Sequence, residues 1–557
     1  MASESLNSSH EDVHRRHQRP GENNTEGISG SPYANQAAAG AAAARTLFPL
    51  GYREGFSQWW ARIPAAAAEH KVLSYLPYLH HQPPTHLQTG KTTELPDGTT
   101  PTSLESADPN QLGEVTTSSL DDPYGPRRWR SSMVELDGKD RALNEFSVER
   151  IGEEADQHLV MLHGYGAGLG FFYKNFEPLS RLKGWQLHAL DMLGMGRSTR
   201  PSFKIKAKDR EEAIREAEAW FVDALEEWRI KRKIDRFTLL GHSLGGYMAV
   251  AYALKYPGHL NKLILASPVG IPEDPYAVTA DVAEPPASTL SNELTQDERD
   301  IAAIPGTAPK TAEGSFITGR QPLPADSVPP PPPRRVLPKW FAYLWDANIS
   351  PFSLVRWAGP LGPRLVSGWT SRRFSHLPAE EAKALHDYSY SIFSLRGSGE
   401  YALAYILAPG AFARSPLIHL AAATSSSTTS ENTPASTSSD SLAPARREKG
   451  LPVVFMYGDH DWMDVSGGHA AAAKLEEEKR KVLEKATPEE QRTDEGSSKV
   501  VIVNKAGHHL YLDGWEQFNS IVLTEMEEVN QRGEKPSVMM WIWLHSLNTK
   551  FRAGGRC

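Results

Sequence analysis

A serine lies in a pentapeptide whose spacing can expose a nucleophile. The sequence GHSLG (residues 241–245) matches G-x-S-x-G, between a stretch typical of a strand, residues 237–243, and a helical stretch, residues 244–257. A tight strand-to-helix turn holds such a serine out at the carboxyl end of a sheet, and its glycines leave room for neighbouring backbone. The pattern therefore predicts Ser243 as a nucleophile in acyl chemistry.

A serine hydroxyl needs a base to take its proton, and two histidines are candidates. His508 and His509 follow the predicted strand KVVIVNKA (residues 499–506). Where this serine turn occurs, the histidine comes last in the chain order Ser, acid, His. We predict His508 as the base, because Gly507 lets the loop aim it at the serine, and His509 as a packing residue.

The acid that orients the histidine should follow the predicted strand at residues 451–457. Asp459, Asp461 and Asp464 all lie just beyond it. Asp461, three residues after Gly458, is the prediction, and Asp464 stays open as the alternative. The acid would hold the imidazole in the required tautomer and stabilise the imidazolium.

A glycine-rich turn, HGYGAG (residues 163–168), follows another predicted strand at residues 158–164. Backbone N–H groups of Tyr165 and Leu244 are predicted to form the oxyanion hole. The glycines do not have the G-x-G-x-x-G spacing of a dinucleotide site, so no cofactor is predicted.

A second pattern overlaps the histidine. His508 and Asp513 form H-x-x-x-x-D, which also occurs in glycerolipid acyltransferases, where the histidine acts as base and the aspartate orients it. The alternative is that Asp513 caps a helix or anchors a loop.

Two aromatic segments have the character of membrane-interface residues. Trp340, Phe341 and Trp345 follow a basic stretch, and a second segment around residues 56–60 is also aromatic. Tryptophan and tyrosine favour the membrane interface, and basic flanks favour anionic headgroups. We predict membrane contact by these aromatics, and the alternative is that they form the core of a cap.

Strands and helices alternate on both sides of a long interruption, which predicts a mostly parallel, doubly wound α/β sheet with an inserted helical cap and disordered inserts. The predicted segments are a disordered N-terminus (1–45), an amphipathic arm (46–80), a linker (81–128), the first part of the core (129–271), a low-complexity insert (272–337), the helical cap (338–421), a disordered insert (422–449) and the second part of the core (450–550).

Composition excludes several other functions. The 557 residues include 60 Lys+Arg and 68 Asp+Glu, a net charge of −8, which argues against nucleic-acid binding. The single cysteine, Cys557, rules out a disulfide framework within the chain and a cysteine-based zinc site, and no metal site is predicted. No run of about 18 apolar residues is present, so no spanning helix is expected.

The sequence resembles the alpha/beta-hydrolase lipase family that includes abhydrolase-domain proteins four and five and the fungal cardiolipin-specific deacylase. The likeness lies in HGYGAGLGFFYKNFEPLS (163–180), LDMLGMGRS (190–198), LLGHSLGGYMA (239–249), LWDANISPFSLVRWAGPLG (344–362), YGDHDWMD (457–464) and AGHHLYLD (506–513).

The resemblance implies an α/β-hydrolase fold acting on phospholipids at a peripheral membrane or lipid surface. It favours deacylation of cardiolipin or an N-acyl phospholipid, and it favours the mitochondrion over the cytosol or a lipid droplet. Lysophosphatidic acid acyltransfer from acyl-CoA is the alternative activity. A non-catalytic lipase coactivator is a third, disfavoured because Ser243 is present.

Overall fold

The computed structural model describes residues 49–78, 114–116, 122–271, 348–408, 412–414 and 450–532. The predictions for residues 1–45, 272–337 and 422–449 lie outside these residues, and so do those for Trp340, Phe341 and Trp345.

The strands form a nine-stranded sheet among the described residues, in the order β1-β2-β3-β5-β4-β6-β7-β10-β11. The pairs from β5 through β11 are parallel, and those at the β1 edge are antiparallel. The strands are β1 (Glu114–Thr116), β2 (Arg127–Glu135), β3 (Ala142–Arg150), β4 (Gln157–Leu162), β5 (Trp185–Leu190), β6 (Phe237–His242), β7 (Leu260–Ala266), β10 (Pro452–Gly458) and β11 (Ser497–Val503), and a separate pair is β8 (Leu407–Ala408) with β9 (Phe412–Ala413).

Helices cover both faces of the sheet, because each central strand is apolar on both sides. In β6, Leu239 belongs to one hydrophobic cluster and its neighbour Leu240 to the other. Side chains alternate along a strand, so consecutive apolar residues require a helical layer on each face. The helices are α1 (Tyr52–Ala61), α2 (Ala65–Leu73), α3 (Tyr173–Leu179), α4 (Arg210–Lys231), α5 (Leu244–Lys255), α6 (Pro351–Trp357), α7 (Gly362–Arg373), α8 (Ala379–Phe393), α9 (Leu403–Ile406), α10 (Val465–Glu484), α11 (Pro488–Thr493), α12 (Leu510–Asp513) and α13, residues 515–532.

The described part of the cap consists of α6 to α9 with the β8–β9 pair. Pro351 begins α6, and the Ser350 hydroxyl caps that helix by accepting a hydrogen bond from the Phe352 N–H at 3.2 Å. Proline suits the first helical position because its missing N–H has no partner there. The cap reaches the core through an aromatic stack, since Phe352 lies 4.9 Å from Tyr165 and 4.3 Å from Phe393 between ring centroids.

The segment predicted as an amphipathic arm contains two helices among its described residues. It forms α1 and α2, separated at Pro64, and α2 is packed into the interior with Val72 and Leu73 buried. Glu69 of α2 is fully buried, and its carboxylate lies 2.6 Å from the guanidinium of Arg197. A buried charge requires such a partner, so the arm is part of the folded core.

The environment of Glu69 contains further polar groups. Asn144 donates to it at 3.1 Å and the Tyr388 hydroxyl donates at 3.1 Å. Burial raises the pKa of the Glu69 carboxyl, while the adjacent Arg197 opposes this shift. Strand β1 lies within the segment predicted as a linker, residues 81–128, and pairs with β2.

Replacing Glu69 by alanine should destabilise the protein by about 3–5 kcal/mol, because Arg197 would remain buried without its carboxylate. Denaturant unfolding of the purified variant measures this change. The control is Lys71→Ala on the exposed side of the same helix, which should change the free energy of unfolding little. A Glu69→Ala loss no larger than that of the control would contradict the assignment.

Candidate active site

Ser243 lies at a sharp turn between β6 and α5. Its backbone has φ 52° and ψ −115°, a conformation that costs energy in a residue with a side chain. The turn is held on both sides, because the Ser243 N–H donates to the Ala266 carbonyl at 2.9 Å and the Val269 N–H donates to the Ser243 carbonyl at 3.3 Å. The strained residue is therefore supported by the end of β7 and by the segment that follows it.

Glycines make this turn possible. A Cβ at Gly245 would lie 2.6 Å from the carbonyl oxygens of Leu162 and His163, and a Cβ at Gly241 would overlap the Gly245 carbonyl. Backbone atoms cannot move aside as a flexible side chain can. Both glycines of the pattern are thus required by the close approach of neighbouring backbone.

His508 is placed beside Asp461 at the carboxyl edge of the sheet. Its Nδ1 lies 3.3 Å from Asp461 Oδ1, and both side chains are almost fully buried. The Asp461 carboxylate also accepts hydrogen bonds from the Met463 N–H at 3.1 Å and from the Ser267 hydroxyl. These donors fix the carboxylate in the orientation that meets the imidazole.

The other two candidate acids, Asp464 and Asp459, do not contact His508 in the described structure. Asp464 is exposed and stands at the N-terminal cap of α10 without a side-chain capping hydrogen bond. Asp459 accepts from the Ala506 N–H at 3.0 Å and pairs with His460. The structure therefore brings Asp461, and not Asp464, to His508.

Asp513 contacts the cap and the loop before the histidine. Its carboxylate accepts from the Gly507 N–H at 3.2 Å and from Arg373 of α7 at 3.2 Å, and His376 Nε2 lies 3.4 Å away. The carboxylate that meets the ring of His508 is that of Asp461. Of the two readings of H-x-x-x-x-D, this geometry corresponds to the loop anchor.

The turn after β4 passes directly over the serine. A Cβ at Gly164 would lie 3.1 Å from Ser243 Cβ, and Tyr165 is the next residue. His163 holds this turn, because its Nδ1–H donates to the Gly164 carbonyl at 2.7 Å and its Nε2 accepts from the Met192 N–H at 3.1 Å. Burial lowers the pKa of His163, so it serves as a neutral bridge.

Leu244, the second predicted oxyanion residue, begins α5 and is buried. Its N–H belongs to the first turn of the helix, where backbone donors point toward the N-terminal end and favour negative charge. Tyr165 and Leu244 therefore flank the serine on two different elements.

His242 and Ser267 are site residues that sequence reasoning missed. The Nε2–H of His242 donates to the His508 carbonyl at 3.0 Å, and its ring packs 4.8 Å from that of His508. Burial, with His508 nearby, lowers the pKa of His242 well below its usual value. His242 ends β6 and Ser267 directly follows β7. A polar residue at the carboxyl end of a parallel strand is the sequence signal that could have identified both.

Residues 157–514 match the alpha/beta hydrolase fold family, a match that spans more than half of the chain. The protein therefore belongs to this family, which confirms the predicted resemblance and fold class. Among the described residues, no His, Cys, Asp and Glu side chains are grouped to hold a metal ion, and no helix is long and apolar enough to cross a bilayer.

Three relatives carry one enzyme name. A protein of Arabidopsis thaliana named 1-acylglycerol-3-phosphate O-acyltransferase is 31% identical over 407 residues, 72% of this chain and 72% of the relative. A Saccharomyces cerevisiae protein named 1-acylglycerol-3-phosphate O-acyltransferase ICT1 is 24% identical over 66% of this chain and 80% of the relative. The human protein named 1-acylglycerol-3-phosphate O-acyltransferase ABHD5 is 47% identical over 117 residues, 21% of this chain and 31% of the relative.

The geometry gives opposite expectations for two aspartates. Asp461→Asn should lower kcat by about 10⁴-fold, because an amide no longer selects the required imidazole tautomer. Asp464→Asn should leave kcat close to wild type, because this side chain is exposed. Hydrolysis of a soluble short-chain ester by both folded variants measures the difference, and the opposite ranking would move the acid to Asp464.

Proposed function

We propose that the protein is an acyltransferase that passes an acyl group through Ser243 to 1-acylglycerol-3-phosphate. The observation that carries the proposal is the His508–Asp461 pair, 3.3 Å apart and buried beside the strained Ser243 turn. The names of the relatives supply the acceptor, and they support acyl transfer better than the deacylation that the family resemblance favours.

In the first half of the reaction, His508 takes the proton of the Ser243 hydroxyl as the serine oxygen attacks the acyl carbonyl of acyl-CoA. The tetrahedral oxyanion is stabilised by the backbone N–H groups of Tyr165 and Leu244. Collapse of this intermediate breaks the thioester bond, and the leaving thiolate receives the proton from His508. Asp461 stabilises the imidazolium while it exists.

In the second half, His508 removes the proton from the free hydroxyl of 1-acylglycerol-3-phosphate. The hydroxyl oxygen attacks the acyl-serine ester, and the proton returns to Ser243 as the serine leaves. The product is a 1,2-diacylglycerol-3-phosphate. Water in place of the lipid hydroxyl would give a free fatty acid, so transfer and hydrolysis share the same groups and differ only in the acceptor.

Phospholipid deacylation is the second candidate, and the same buried Ser243, His508 and Asp461 favour it. A hydrolase of this kind takes its acyl group from a phospholipid ester and gives it to water. Cardiolipin or an N-acyl phospholipid as substrate, and a mitochondrial location, rest on the resemblance stated above. A lipase coactivator would need no nucleophile, so the presence of Ser243 disfavours the coactivator alternative.

We further propose that the protein works at an anionic lipid surface. Tyr52, Phe56 and Trp60 of α1 are 71%, 50% and 74% exposed, and Trp357 and Leu365 of the cap are 70% and 55% exposed. Helix α1 packs against residues 359–361 and against α7, so these side chains lie on adjoining elements. Large exposed apolar groups grouped in this way are characteristic of membrane-contacting surfaces.

Basic side chains accompany this apolar surface. The guanidinium of Arg364 lies 3.8 Å from the ring centroid of Tyr52, that of Arg62 lies 5.9 Å from Trp59, and Arg53 is exposed on α1. Each arginine near an anionic bilayer contributes about 1 kcal/mol of attraction. The occupant that fits both features is a bilayer containing phosphate headgroups.

Ser243→Ala should abolish both acyl transfer and hydrolysis, with a loss on the order of 10⁴-fold or more in kcat. The purified protein is given acyl-CoA with 1-acylglycerol-3-phosphate, and separately a phospholipid in water. Formation of diacylglycerol phosphate in the first assay, at a rate above free fatty acid release, supports transfer. Fatty acid release alone would replace transfer by deacylation, and activity retained in folded Ser243→Ala would refute the nucleophile.

Replacing Phe56, Trp60 and Trp357 together by serine should weaken binding to vesicles of phosphatidylcholine with phosphatidic acid. Hydrolysis of a soluble ester should persist, because these side chains are exposed. The matched control replaces Ile230 and Leu254, exposed on α4 and α5, by serine. Vesicle co-sedimentation measures binding, which should also fall as salt rises. Equal loss in the control, or no loss in the triple variant, would contradict the lipid-binding surface.

A further inference from the structure

We propose that Arg373 and Asp513 are a positioning pair that holds the residues on both sides of His508 and joins this loop to the cap. The inference rests on the proposed function of His508 as the base. It assigns a role to the second residue of H-x-x-x-x-D and to a cap arginine that no sequence motif singles out.

Asp513 holds the residue before the histidine. Its Oδ2 accepts the Gly507 N–H at 3.2 Å, so the carboxylate turns back from α12 onto the loop that precedes this helix. The six residues from His508 to Asp513 are just long enough for one tight turn to return to that N–H. The spacing of the motif therefore lets Asp513 close the loop, whereas the carboxylate that meets the imidazole is Asp461, from the loop after β10.

Arg373 holds the residue after the histidine. Its Nε–H donates to His509 Nδ1 at 2.8 Å, while the other arm of its guanidinium donates to both oxygens of Asp513 at 3.2 Å. Burial, with Arg373 adjacent, keeps the pKa of His509 well below its usual value, so the ring stays neutral and accepts this bond. The guanidinium thus spans the motif aspartate and the residue next to the base.

The third support comes from the serine turn. His242 donates to the His508 carbonyl at 3.0 Å, so the histidine is held through its own carbonyl and through both neighbouring residues. The contact to His509 comes from the cap, since Arg373 is the last residue of α7. The placement of α7 on the core is therefore a condition for a correctly placed His508.

Arginine is the residue type that this arrangement requires. Its planar fork presents several N–H groups in fixed directions, so one side chain can meet an imidazole nitrogen and a carboxylate together. Lysine would keep the charge but would present a single ammonium group. Arg373→Lys therefore removes the two-sided contact while preserving net charge, and Asp513→Asn removes the charge while preserving side-chain size.

The test compares Arg373→Lys, Asp513→Asn and the double variant with wild type, using a soluble short-chain ester. Misplacing a catalytic group by about 1 Å costs about 10²-fold, so each single variant should lose about that factor in kcat with little change in KM. Because the two residues act as one unit, the double variant should lose no more than either single variant. Labelling of Ser243 by a fluorophosphonate should slow in parallel, and circular dichroism gives the folded fraction.

The matched control is Glu525→Gln, which disturbs another buried ion pair, that of Glu525 with Lys262 at 2.7 Å, at the opposite end of β7. It should lower the melting temperature and leave kcat unchanged in the folded protein. Wild-type kcat in folded Arg373→Lys and Asp513→Asn, or losses that multiply in the double variant, would overturn the positioning pair. If folded Ser243→Ala stayed active, the proposed function itself would fail, so the two failures are distinguishable.

Discussion

Backbone segments meet at van der Waals distance along the carboxyl edge of the sheet, and the candidate site depends on that constraint. The turn after β4 lies against Ser243 at Gly164, the start of α5 lies against β4 at Gly245, and the end of β10 lies against the histidine loop at Gly458. A side chain at any of these points would separate the elements. Glycine is therefore what allows a serine, a histidine and a carboxylate from distant parts of the chain to lie together.

Close backbone contact buries polar groups, and several of them are joined by hydrogen bonds next to the site. Asp191 accepts from the Leu169 and Arg197 N–H groups at 2.7 Å, and Asn144 links it to Glu69 of the N-terminal arm. Unpaired, such groups would each cost a few kcal/mol. The arm, the turn over the serine and the sheet are thus joined by one buried network, which explains why a segment remote in sequence belongs to the core.

The aspartate that meets the proposed catalytic histidine is not the aspartate of the H-x-x-x-x-D motif. Asp461 follows β10 and Asp513 follows β11, so both lie at the carboxyl edge of the sheet. Asp461 contacts the His508 imidazole, whereas Asp513 contacts the Arg373 guanidinium and the Gly507 N–H. The same H-x-x-x-x-D letters would describe either arrangement. What distinguishes them is the direction of the turn after β11 and the presence of Arg373 from the cap, neither of which the motif contains.

The sequence by itself determined the fold class, and it predicted Ser243 as nucleophile, because periodicity and the G-x-S-x-G turn are local properties. The strand order is instead a property of the tertiary structure, because it depends on which distant strands pair with one another. Only the tertiary structure decided between Asp461 and Asp464, since both are carboxylates and they lie only three residues apart after β10. It also revealed Glu69, His242 and Ser267, whose roles depend on residues that are distant along the chain. Local patterns specify elements, whereas the partner of a buried polar group is set by where those elements meet.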